Sequence, residues 1–186
     1  MLEPSAVSRQ QRMRAYLFLG AISGLVLAMD QWSKFLVRTQ LELGETWSPV
    51  AVLEPFVRIV HWNNTGAAFG LLPSAGTIFT IIAIGVTAAI LYYFPRVPES
   101  HVAMRIALAL QLGGAVGNLI DRILIGTVTD FISIATFPVF NVADASITVG
   151  TALLLAAMWV DERRRKQEAA DADQDVHAGG KEAEGA

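Results

Sequence analysis

Four stretches of the chain are apolar for long enough to cross a bilayer, near 15–36, 73–94, 102–121 and 143–160. A hydrocarbon core of about 30 Å takes about 20 helical residues, so the pattern predicts four transmembrane helices, an all-α integral membrane protein. Between spans, about 38–72 and 122–142 form two larger segments on the same side. In the first, Val57, Ile59 and His61 alternate with Arg58, Val60 and Trp62 until Asn63, Asn64 and Gly66 break the pattern. That period of two predicts a short strand within a small external cap. The second carries β-branched residues over Gly126–Ile132, which suit a strand paired with the first or a return along the helix ends. Residues 161–186 are basic, then acidic; from about Gln167 they carry almost no large apolar side chains and are expected to be disordered.

Composition agrees with a membrane chain: of 186 residues, 53% are hydrophobic and 17% charged. The formal charge of -3 says little about partners, because the acidic residues crowd into the tail after Val160. Arg9, Arg12 and Arg14 precede the first span, Arg96 and Arg105 lie between the second and third, and Arg163, Arg164, Arg165 and Lys166 follow the fourth. The positive-inside rule then puts both termini (1–14 and 161–186) in the cytoplasm, as four spans require. Leu27, Ala28, Met29 and Asp30 offer no small-x-small cleavage site, so the first span is expected to be retained. The chain has no cysteine, which removes disulfides and thiol nucleophiles, and its three histidines are scattered. A histidine-rich metal site is not expected, and neither a cofactor nor a nucleic-acid partner is called for.

Ionisable groups are rare in membrane helices, so their depth is informative. At about 1.5 Å per residue, Asp30 lies roughly 24 Å from Arg14, Asp121 roughly 24 Å from Arg105, and Asp144 roughly 28 Å from Arg163. Three spans therefore bring an aspartate to one outer rim, where Asp130, Asn63, Asn64, Asn118, Arg122 and Asn141 also fall. Structural roles compete with chemistry at each position. Asp30 and Lys34 are four apart and suit an ion pair. Asn118, Asp121 and Arg122 share a helix face suited to a scaffold or a substrate grip, and Asn141 or Asp144 could cap the fourth span. Gly113, Gly114 and Gly117 suit close helix packing, Gly66 and Ala67 a turn, and His61 and Trp62 interfacial anchors. For hydrolysis without cysteine or metal, two close carboxylates suffice, one ionised to activate water and one protonated to polarise a carbonyl. Spacing leaves Asp30, Asp121, Asp130 and Asp144 all open, with a slight preference for Asp121 and Asp144. It also leaves room for a small ion-coupled transporter or channel, or for a non-catalytic scaffold.

The order of short motifs narrows this. Asp30-Gln31-x-x-Lys34, Asn64-Thr65-Gly66-Ala67-Ala68-Phe69, Gly114-Ala115-x-Gly117-Asn118-x-x-Asp121-Arg122, Val128-x-Asp130-Phe131 and Phe140-Asn141-x-Ala143-Asp144 together resemble the lipoprotein signal peptidases (signal peptidase II). The resemblance covers about residues 30–150. It implies an aspartyl endopeptidase that removes the signal peptide of diacylglyceryl-modified prolipoproteins at the outer side of the bacterial cytoplasmic membrane, with Asp130 and Asp144 as the catalytic pair. By the same likeness Asn64, Gly114, Asn118, Arg122 and Asn141 would bind or orient substrate or shape its site, Asp121 would support Arg122, and Asp30 with Lys34 would stabilise the site. Lipid-modified prolipoproteins and membrane lipids are the implied partners. A monomer is expected, since one chain carries a complete set of motifs.

Overall fold

A computed structural model of the chain describes residues 8–48, 50, 52, 54–66 and 76–184, with side chains described as far as Glu168. Ala67, Ala68 and Phe69 of the second motif lie outside the described residues. Four helices are long and apolar enough to cross a membrane: α1 (Arg9–Gln40), α2 (Gly76–Tyr93), α3 (Val102–Leu124) and α4 (Val142–Glu184). Their surface is apolar too, with Ile78, Ile81, Ile82 and Ile84 of α2 all exposed, as a lipid-facing helix requires.

Three helices, α1, α3 and α4, overrun the apolar stretches. Ser8 and Gln11 form a capping box that starts α1 before the apolar run. At its other end Lys34 is buried, and Arg38 reaches Asp121, so these charges extend an inward polar face rather than mark the end of the helix. The tail expected to be disordered continues α4 as helix to Glu184. Its Ala, Glu, Lys and Gln have high helix propensity, which prolongs a helix. Arg105 is in the first turn of α3, not in the loop. It is buried, with its guanidinium 5.0 Å from the Phe18 ring and 4.9 Å from that of Phe94.

The central helix is α3: it packs on α1, α2 and most extensively α4, while α2 and α4 scarcely touch among the described residues. Glycines make this closeness possible. A Cβ on Gly113 would lie 2.8 Å from Ser23 O of α1, and one on Gly114 2.5 Å from Ala143 O of α4.

The cap contains a three-stranded antiparallel sheet in the order β1 (Thr46–Trp47), β2 (Val57–Asn64), β3 (Val128–Ile134). Of the two arrangements left open for the second segment, strand pairing is the one adopted. Gly126 makes the turn out of α3 with φ +87, a conformation that costs a residue with a side chain about 1–2 kcal/mol. An irregularity between Ile59 and Trp62 sets Trp62 opposite Asp130.

Candidate active site

Polar side chains from α1, α3, α4 and the sheet meet at one end of the bundle in a continuous hydrogen-bonded network. Its base is the ammonium of Lys34, fully buried, 2.8 Å from Asp30 Oδ2 and 3.2 Å from Asp121 Oδ2. Lys34 also donates to Asn118 Oδ1 at 2.9 Å, which uses its three protons. Both carboxylates are otherwise engaged. Asp30 accepts the Ala143 backbone N–H (2.9 Å), a free donor in the first turn of α4. Asp121 accepts the Thr129 N–H (3.0 Å) and lies 3.5 Å from Arg38. The Gln31 amide bridges Asp30, Asp121 and the Gly117 carbonyl. These two aspartates join α1, α3, α4 and β3, with Asp121 paired to Lys34 and Arg38. Asp121 is also not seated on Arg122: its partners are Lys34, Arg38, Gln31 and Thr129, because its side chain turns toward α1.

The second layer carries the other two aspartates. Asn118 donates through Nδ2 to Asp144 Oδ1 (2.8 Å), and its Oδ1 accepts from Asn141 Nδ2 (3.1 Å) as well as from Lys34. Asn141 Nδ2 in turn donates to Asp130 Oδ1 at 2.7 Å. Asn141 and Asp144 also cap α4 reciprocally: each side chain accepts the other's backbone N–H, at 3.2 and 2.9 Å. The capping role and a place in the site thus coincide. From the sheet, Asn64 Nδ2 donates to Asp130 Oδ2 (2.9 Å), while its Oδ1 takes the Gly66 N–H. Asp130 and Asp144 are therefore linked through one residue, Asn141, whose side-chain amide donates to Asp130 and whose backbone N–H donates to Asp144.

Both line a cavity of about 600 Å³ together with Asn64, Arg122, Phe79 and Phe140. Arg122 donates to the Asn118 carbonyl and lies 5.8 Å from the Phe79 ring. Burial pushes the Asp130 carboxyl up to about 7. The nearby charge of Asp144 acts in the same direction, against the donors Asn64 and Asn141 and the charge of Lys34. Near neutral pH Asp130 is therefore poised between its protonated and ionised forms.

Asp30, Lys34, Asn64, Asn118, Asp121, Arg122, Asp130, Asn141 and Asp144 all converge here, and Gly114 holds α4 against α3. A Cβ at Gly117 would meet Asp30 Oδ2 at 2.6 Å, so this glycine makes room for the ion pair. Asn63 is exposed and stays outside the site. Thr129 and Arg38 belong to the network but were not singled out: Arg38 continues the i, i+4 series of Asp30 and Lys34, which could have signalled it, whereas nothing local marks Thr129. Among the described residues no three His, Cys, Asp or Glu side chains are grouped as a metal site requires.

Comparison with known proteins agrees with this architecture. Residues 22–160 match the family model described as Signal peptidase (SPase) II. The chain is 40% identical over 146 residues to the lipoprotein signal peptidase of Anoxybacillus flavithermus, covering 76% of this chain and 85% of that one. It is 39% identical over 148 residues to that of Halalkalibacterium halodurans, covering 77% and 93%. A bacterial membrane enzyme solved by the in meso method superposes with a TM-score of 0.71 at 34% identity, over 77% of this chain and 88% of the other. With four membrane-length helices, one polar site and these relatives, the chain belongs to the signal peptidase II family of bacterial multi-pass membrane peptidases.

Proposed function

We propose that the chain is an aspartic endopeptidase that cuts the signal peptide from diacylglyceryl-modified prolipoproteins just before the lipidated cysteine, with Asp130 and Asp144 as the reacting carboxylates. The observation that carries this reading is that the two aspartates line one cavity and are both held by Asn141, Asp130 by its side-chain amide and Asp144 by its backbone N–H, while Asp30 and Asp121 are consumed by Lys34. Asp144 is in the first turn of α4, where the helix N-terminus favours a negative charge. It is assigned as the base. Asp130, pushed up to about 7, is assigned as the acid.

In the forward reaction, water loses a proton to Asp144 as its oxygen attacks the scissile carbonyl carbon. The proton of Asp130 goes to the carbonyl oxygen, giving a neutral diol. Transfer of a proton from Asp144 to the amide nitrogen and return of one to Asp130 then break the C–N bond. A carboxyl group is left on the signal peptide and an amine on the cysteine. Arg122, at the cavity wall, is assigned to orient the backbone of the substrate.

Substrate geometry follows from the open side of the bundle. The cavity lies between Phe79 of α2 and Ala145, Thr148 and Val149 of α4, two helices that scarcely touch. A signal-peptide helix and its diacyl chains would enter there from the bilayer, and their anchoring supplies much of the proximity effect. The basic residues at the opposite end of the helices support cytoplasmic termini and a site at the outer face of the cytoplasmic membrane. One chain supplies every group of the site, which supports a monomer. Membership of a peptidase family leaves the transporter or channel reading without support.

The test compares one prolipoprotein with and without its diacylglyceryl group. The modified form should be cut before the cysteine and the unmodified form barely at all. Equal cleavage of both would refute positioning by lipid.

A further inference from the structure

At the end of the bundle opposite the aspartates, α3, α4 and the turn before α3 line a second cavity of about 460 Å³. Its walls are apolar, including Met104 of α3 with Leu153 and Ala156 of α4, and its mouth is polar, with Ser100, His101, Asp161 and Arg164. From Leu153 to Arg164 the helix rises about 16 Å, close to the thickness of one hydrocarbon leaflet of about 15 Å. The cavity is therefore layered like half of a bilayer, polar at the level of the basic run Arg163–Lys166 and apolar below it.

The charges at the mouth select the sign of the occupant. Arg163 stacks on Trp159 at 3.9 Å, Lys166 pairs with Glu162 at 2.6 Å, and Asp161 Oδ2 lies 3.2 Å from His101 Nδ1. Arg164 lines the cavity with no carboxylate partner among the described residues. We propose that this cavity seats an anionic glycerophospholipid, its headgroup against Arg164 and Ser100 and one acyl chain along Met104 and Leu153. A zwitterionic lipid would match the walls equally well but would gain less from Arg164. The site is a leaflet away from Asp130 and Asp144, so it is separate from substrate cleavage.

Native mass spectrometry of the full chain released from detergent tests this, with phosphatidylglycerol and phosphatidylcholine as probes. Wild type should retain phosphatidylglycerol preferentially. Arg164→Gln should weaken that retention about fivefold with phosphatidylcholine unchanged, and Ala156→Trp, which fills the cavity, should reduce both. Cleavage of a lipidated substrate in detergent should stay at the wild-type level in both variants, reporting that they are folded. Equal retention of the two lipids by wild type, or retention of phosphatidylglycerol unaffected by both substitutions, would overturn the proposal.

Discussion

Lys34→Met isolates the foundation of the site. The substitution keeps most of the volume of the side chain but removes an ammonium that contacts Asp30, Asp121 and Asn118 within 3.2 Å. Asp121 retains Arg38 at 3.5 Å. Asp30, fully buried, has only neutral donors left, the Ala143 N–H and the Gln31 amide. Stranding one member of a buried pair costs about 3–5 kcal/mol, or about 6–20 °C in Tm for a chain of this size. Unfolding in detergent can be followed through the four tryptophans. Adding Asp30→Asn removes the stranded charge, so the double variant should recover part of the loss. Such neighbours couple by about 0.5–3 kcal/mol. Cleavage should fall in Lys34→Met even below its unfolding temperature, because Asn118 Oδ1 loses one of the two donors, Lys34 and Asn141, that fix which way its amide faces Asp144. A single variant within about 0.5 kcal/mol of wild type, or a double variant worse by the full sum of the singles, would refute the stranded-charge reasoning.

Other predictions follow from the close contacts and the titration of the site. Gly114→Ala would set a Cβ 2.5 Å from the Ala143 carbonyl, pushing the first turn of α4 outward. It should cost about 1–3 kcal/mol and lower cleavage, whereas Gly24→Ala, where a Cβ meets nothing within 4 Å, should be neutral or stabilising by about 1 kcal/mol; thermal unfolding distinguishes them. Because Asp130 holds its proton up to about 7, kcat/KM should fall as pH rises through that value. Asn64→Ala removes a donor that favours the ionised form, so this alkaline limb should move up, and a limb that stayed or moved down in the pH profile would contradict the assignment. The sign for stability is the same: the folded state holds a proton that the unfolded carboxyl releases. The contribution of Asp130 is thus fully present below the ordinary carboxylate range and lost as pH rises through about 7, which denaturant titration at several pH values would read.

Depth was legible in the sequence and azimuth was not. Counting from the basic residues at the helix ends put Asp30, Asp121 and Asp144 at one level because a helix rises by a fixed step, and the aspartates do meet there. Which of them face one another depends on how α1, α3 and α4 are rotated, and that is decided by Gly113, Gly114 and Gly117 against their neighbours. The spacing could not show this for Asp121, whose side chain turns to Lys34 and Arg38 on another helix. Asp130 enters the site only through pairing of β2 with β3, strands about 70 residues apart in the chain, which local propensity does not encode. The two-residue β1 is too short for any alternation to appear, and Thr129 joins the network through its backbone N–H and through a hydroxyl that accepts from Arg38, contacts that no local pattern marks. The motif resemblance supplied the choice of Asp130 with Asp144 that the spacing left open.

The most direct test of the central claim is a gel-shift assay of cleavage on a diacylglyceryl-modified prolipoprotein, with wild type, Asp130→Asn and Asp144→Asn purified alike and checked for folding by the tryptophan trace. The account predicts a cut just before the modified cysteine by wild type, and rates lower by about a thousandfold or more in both variants, each folded. A folded variant of either aspartate that still cleaves at close to the wild-type rate would contradict it.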